Sequence, residues 1–192
     1  MGEAERRMAV RDVRALTSLG HPLRLRLLHH LLAAGPRTAA QCAEALHDTG
    51  ANCGYHLRNL ARFGLVERAE PDGQDRRERP WRASATGFDF LPDLESEQAE
   101  EIGATLSSLQ LNEVFRAMRE YLELAGRLPE EWQSSAAFNN YALMLTAEEL
   151  AHLVVTLDAV IRPYIRATRK YVPPDARPVN LSVQAHLNPE CL

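Results

Sequence analysis

Residues Thr38 to Arg68, TAAQCAEALHDTGANCGYHLRNLARFGLVER, constrain this chain more than any other stretch, because two short helical patterns joined by a turn signal leave few ways to fold. Thr38 and Gln41 stand at capping-box spacing, and His47-Asp48-Thr49-Gly50 ends the first helix with residues that favour turns and N-caps. Thr49 then caps a second helix, predicted over Ala51 to Phe63. At about 100° per residue, its Cys53, Leu57, Leu60 and Gly64 fall within about 60° of one another, while Ala51, Tyr55, Arg58, Asn59 and Arg62 point the other way. A short helix held by an apolar stripe and offering Arg, Asn and Tyr outward is what a major groove can admit, since the groove accepts one helix and displays base-edge acceptors.

Three motifs resemble a known family: His21-Pro22-Leu23-Arg24, the YHLxxLxxxGLV pattern that closes the Gly50 to Val66 segment, and RERPWR at Arg77 to Arg82. Together they resemble an arsenic-repressor-type (ArsR-like) winged helix-turn-helix regulator over roughly residues 12–90. The resemblance implies a second helix that reads double-stranded DNA, a hairpin wing and a homodimer. In that family Gly54 often gives way to a hydroxyl residue. The family's thiol signature, two Cys flanking one residue in the preceding helix, is absent, since that helix holds only Cys42.

Charge is distributed in agreement with this. Net charge is -4, but residues 1–91 hold 14 Arg and 11 acidic residues, net +3, and residues 92–192 hold 8 basic and 15 acidic residues, net -7. The basic surplus sits where the motif is. Of 22 basic residues only Lys170 is Lys, which a genome-wide Arg bias explains as readily as phosphate binding. No apolar run reaches membrane-spanning length and the N-terminus lacks an apolar signal core, so the expectation is a cytoplasmic chain. Three widely spaced cysteines, Cys42, Cys53 and Cys191, fit a reducing compartment.

In chain order, residues 1–9 read as a polar, frayed start. Arg11 to Leu19 reads as a helix stopped by Gly20, and Pro22 opens a leucine-rich helix whose polar side is Arg26, His29 and His30. Leu65 to Ala69 and Trp81 to Ser84 flank the Pro71-Asp72-Gly73 turn signal, giving a hairpin with Arg76, Arg77 and Arg79 at its tip. Leu91 to Ser96 is a linker. Glu97 to Ala125 is a long helix with one seam at Ile102, Leu106 and Leu109 and a second, out of phase, at Leu111, Phe115, Met118, Leu122 and Ala125. The seams can pack on this chain's own winged helix or pair with a second copy, and a mixed case is favoured. Trp132 belongs to a short turn over Glu130 to Ser134. Phe138 to Leu145 reads as a strand with Tyr141, Leu143 and Leu145 on one side, and Val179 to Leu187 alternates well enough to be a second, around a helix that Thr146 and Glu149 open with a capping box and Pro163 kinks or weakens.

The expected fold is mainly α (α+β): a winged helix-turn-helix over 1–91, then a dimerisation and effector region over 92–192 made of a long dimerisation helix and a small α+β module. The candidate DNA-binding residues are Thr49, Gly50, Asn52, Tyr55, His56, Arg58, Asn59, Arg62, Arg76, Arg77 and Arg79. Arg58 can fork onto guanine, and Asn52 or Asn59 onto adenine. His56 lies off both faces and is assigned to backbone or phosphate. Cys42, His47, Cys53 and His56 are close in sequence, but Cys53 belongs to the inward stripe, so no metal ligand and no cofactor is assigned. No phosphate loop, nucleophile elbow or paired-carboxylate frame marks an enzyme. Trp132, Phe138, Tyr141, Tyr164 and Tyr171 supply aromatic area that either core packing or a small-molecule effector pocket would use. The alternative to a regulator is a protein-interaction scaffold that works through the acidic second half without binding DNA.

Overall fold

Leucines at helical spacing make the hub of the N-terminal unit. The structure, a computed structural model, describes residues 7–70, 79–90, 97–166, 169 and 171–191. Helix α1 spans Val13–Leu19 behind an Asp12 cap, and α2 spans Pro22–Ala34 with Pro22 in its first turn and His21 as N-cap. Leu23, Leu25, Leu27, Leu28 and Leu31 of α2 are buried on most of its circumference, so α2 must be surrounded. Around it pack α1, α3 (Ala39–Leu46) and α4 (Gly50–Arg62). The Thr38–Gln41 capping box is formed in full, and the Thr49 side chain accepts the Asn52 amide, as the sequence predicts.

A wing follows α4. Strand β2 (Val66–Arg68) pairs antiparallel with β3 (Trp81–Ala83), setting Glu67 opposite Arg82 and Arg68 opposite Trp81. Arg37, between α2 and α3, adds a separate antiparallel rung by exchanging two backbone hydrogen bonds with Trp81, at 2.9 and 2.7 Å. This rung fixes the wing against the start of α3. The expected turn at Pro71-Asp72-Gly73, with Arg76 and Arg77, and the linker Leu91 to Ser96 lie outside the described residues.

The N-terminal segment differs from its frayed expectation. Met8–Val10 forms β1, parallel to β4 (Phe88–Phe90), with Val10 buried and Arg7 bonded to Asp89 at 2.9 Å. Only a partner distant in sequence makes this strand, so local composition gives no sign of it.

Packing divides the chain into two compact units, Met1–Asn112 with Tyr164–Val179, and Glu113–Pro163 with Asn180–Leu192. Helix α5 (Glu97–Leu124) changes character along its length. Leu106 is buried in the N-terminal core and Ile102 packs against it, whereas Leu111, Phe115, Met118 and Leu122 are exposed. The seam slip therefore falls close to the division between the units.

The second unit holds the end of α5, then α6 (Glu130–Ser134) and α7 (Ala147–Ile161), the last opened by the complete Thr146–Glu149 capping box. Pro163 does more than kink α7: the α-helix ends at Ile161 and continues as a 3-10 turn over Arg162–Tyr164, because proline has no N–H to donate and its ring crowds the carbonyl four residues back. The two expected strands are not formed. Residues 138–145 and 179–187 carry no ladder, since a strand exists only when a neighbour takes its hydrogen bonds, and among the described residues neither segment has a backbone partner. No helix among the described residues is long and apolar enough to cross a membrane.

Candidate nucleic-acid interface

Helix α4 is turned as its sequence requires. Cys53, Leu57 and Leu60 are fully buried, which drives the opposite face outward: Ala51, Asn52, Tyr55, Arg58 and Arg62 are exposed. Gly64 is not part of the inward stripe. It lies exposed one residue past the Phe63 cap with φ of 68°, the left-handed conformation that ends many helices and favours glycine.

The outward side chains are not equivalent. Asn52 donates from its amide to the Asp48 carboxylate at 3.0 Å, and the Thr49 backbone N–H donates to the same oxygen at 2.6 Å. The Asn52 bond first, and then the Thr49 bond, hold Asp48 below the usual carboxylate range. Thr49 and Gly50 open the helix and are exposed. Tyr55 is 55% exposed with its ring edge-on to His56, and the Arg58 and Arg62 side chains are exposed as well.

Two sequence candidates do not lie on this face. His56 is 5% exposed. Its ring lies 4.3 Å from the His21 ring, and its Nδ1 accepts from Arg24 Nε at 3.1 Å. Burial first, then His21 and Arg24, lower its pKa. Asn59 is half-buried, its side-chain oxygen accepting from the Ser18 hydroxyl at 3.1 Å, while Arg24 donates to the Ser18 backbone oxygen at 2.7 Å. Both residues tie α4 to α1 and α2 through Arg24, because a position between the inward and outward faces is swallowed when two helices flank α4.

The wing brings a residue to the site that sequence reasoning passed over. Arg68 lies with its guanidinium 3.7 Å above the Trp81 ring and donates to the Arg79 backbone oxygen. With Arg58 and Arg79 it lines a cleft of about 400 Å³ bounded by Thr38 to Ala40, Gly54 and Trp81. Desolvation, followed by repulsion from Arg58 and Arg79, pulls the Arg68 pKa down, so positive charge is concentrated in this cleft. Arg82, by contrast, is neutralised by Glu67 at 2.6 Å. Arg68 was legible only through its cross-strand partner, and the long connection between β2 and β3 hides that register. Gly54 is buried at the cleft floor, where a β-carbon would stand 3.3 Å from Arg58 and 3.8 Å from the Ala39 side chain.

Cys42 and Cys53 are free and fully buried. Burial raises the Cys42 thiol to about 11, and it raises Cys53 as well, so both stay protonated thiols at neutral pH. Among the described residues no three His, Cys, Asp or Glu side chains gather as a metal site would need.

A helix-turn-helix core, a winged hairpin and an arginine-lined cleft between them define the class of the N-terminal unit. Residues 19–69 match the model of a helix-turn-helix domain family. No curated protein matches the chain. Among solved structures the chain is similar to RV1404 from Mycobacterium tuberculosis, with 15% identity over 79% of this chain and 82% of that one and a TM-score of 0.33. It is also similar to a zinc-responsive MarR family member, Lactococcus lactis ZitR, with 17% identity over 86% and 83% and a TM-score of 0.28. The S. aureus MepR F27L mutant bound to an oligodeoxyribonucleotide shares 22% identity over 74% and 78%, with a TM-score of 0.27.

Proposed function

We propose that this chain is a sequence-specific, double-stranded-DNA-binding transcriptional regulator of the arsenic-repressor kind, working as a cytoplasmic homodimer without catalysis. The observation that carries the reading is the exposed Tyr55, Arg58 and Arg62 face of α4 standing beside the Arg58, Arg68 and Arg79 cleft, in a domain matched as helix-turn-helix. Arg58 can reach guanine from within the major groove. Arg62, Thr49 and Gly50 lie where a helix contacts flanking phosphates, and Arg79 with Arg68 supplies the wing's grip on the backbone. Arg76 and Arg77 extend that grip. Asn52 reads adenine only after leaving Asp48, so its contribution is smaller than its residue type suggests. His56 and Asn59 hold the helix and do not touch DNA.

The dimer is supported by the second unit, in which no described residue is buried although α7 is rich in Leu and Val. A two-fold dimer sets two recognition helices about 34 Å apart on one face of the duplex. Selection from a random duplex pool, followed by titration of the enriched sequence at several salt concentrations, tests the reading. Enrichment of a two-fold symmetric site whose binding weakens steeply with salt is expected. A dimer that enriches no duplex would transfer the case to the scaffold alternative.

A further inference from the structure

The second unit is unfinished as a single chain. Between Glu113 and Pro163, and between Asn180 and Glu190, no described residue is buried, while Phe115, Leu122, Tyr141, Met144, Leu181 and Leu187 are each more than half exposed. With about 150–250 Å² for a bared aromatic side chain and somewhat less for an aliphatic one, the separately exposed apolar residues of this unit sum to on the order of 1,500 Å². A standard interface takes about 800 Å² per partner.

Two segments inside that unit have strand chemistry without strand pairing. Residues 181–187, LSVQAHL, place Leu181, Val183, Ala185 and Leu187 on one side and Ser182, Gln184 and His186 on the other, the alternation of a strand with one buried face. Residues 138–145, FNNYALML, place Tyr141, Leu143 and Leu145 on one side and Phe138, Ala142 and Met144 on the other, with one Asn on each side near the start. Neither contains a charge or a proline, the devices that keep an open edge from pairing. They sit in an acidic half of the chain, net -7, so the lack of charge is local to them. Yet among the described residues neither makes a backbone–backbone hydrogen bond, although both belong to one compact unit.

We infer that residues 138–145 and 181–187 become strands of a sheet shared between two copies of this chain, so that the second copy covers both the open strand edges and the bare faces of α5 and α7. A second copy is the occupant the chemistry selects: uncharged surface matches uncharged surface, the area suffices for a stable dimer, and a two-fold axis gives each open edge a partner of the same kind. The inference rests on the dimer reading and extends it to a particular pairing.

Hydrogen–deuterium exchange on the intact protein, with oligomeric state measured on the same sample, tests it. The wild type is expected to be a dimer in which the amides of Tyr141, Leu143, Leu181 and Val183 exchange at least tenfold more slowly than in the monomeric variant Phe115→Glu/Leu122→Glu. Both substituted side chains are exposed in the single chain, so its fold tolerates the change. A dimer whose four amides exchange at the free-peptide rate would overturn the shared sheet and leave the dimer standing. Protection that persists in the monomeric variant would mean pairing within one chain, and a monomeric wild type would remove the dimer reading together with this one. Isotope-filtered spectra of mixed labelled and unlabelled chains make the same distinction without any substitution, through contacts between copies at these four amides.

Discussion

His56 shows what a side chain between two faces does. It accepts from Arg24 and lies against the His21 ring at a tilt of 38°, with Asp48 the opposing charge near it and Tyr55 edge-on to it. Its pKa is lowered in the fold, as is that of half-buried His30 through burial and Arg37. The unfolded chain therefore binds these protons first as pH falls, so stability is complete above the ordinary histidine range near about 6.5 and declines below it. The melting temperature should drop between pH 7.5 and 5.5, and His56→Gln should flatten part of that slope whatever it does to stability at pH 7.5. An unchanged slope in the variant would remove His56 from the account. Thiol chemistry gives a second check: Cys42, with its thiol raised to about 11, should resist alkylation in the native protein at pH 7.

Elements were read from the sequence to the extent that their causes are local. The capping boxes at Thr38 and Thr146, the Thr49 cap, the inward Cys53, Leu57 and Leu60 and the Arg68–Trp81 hairpin arms follow from spacing and hydrogen-bonding chemistry, which neighbouring residues settle among themselves. Strand β1 and the burial of His56 depend on partners tens of residues away, and the Arg68 position depends on a register no local pattern fixes. Segments 138–145 and 179–187 show the reverse: the sequence expects strands, and among the described residues neither finds a backbone neighbour to complete it.

Glycine separates these effects within and just past α4. Gly54→Ala adds a β-carbon at ordinary contact distance from Ala39 and within reach only of the flexible end of Arg58, so it should raise stability by up to about 1 kcal/mol. Gly64→Ala, at φ of 68° with open space around it, should lower stability by about 1–2 kcal/mol from backbone strain alone. Denaturant unfolding of the two variants measures both signs. Leu106→Ala truncates the side chain that α5 buries in the N-terminal core beside the partly buried Ile102 and should cost about 2–5 kcal/mol in the same experiment.

At the scale of the whole molecule the chain joins a finished domain to an unfinished one. The first unit buries its leucines and leaves exposed an Arg and Tyr face beside an arginine-lined cleft; among its described residues the second buries none and exposes apolar surface. A regulator needs both properties, one for the duplex and one for symmetry. The central claim is that the outward face of α4 reads bases, and the most direct measurement is the affinity of wild type and Arg58→Ala for a pool-selected duplex and for its single-base variants. The account predicts a loss of about 1–3 kcal/mol for Arg58→Ala, with discrimination relaxed at one base pair of each half-site. Equal affinity and an unchanged base preference in the variant would contradict it.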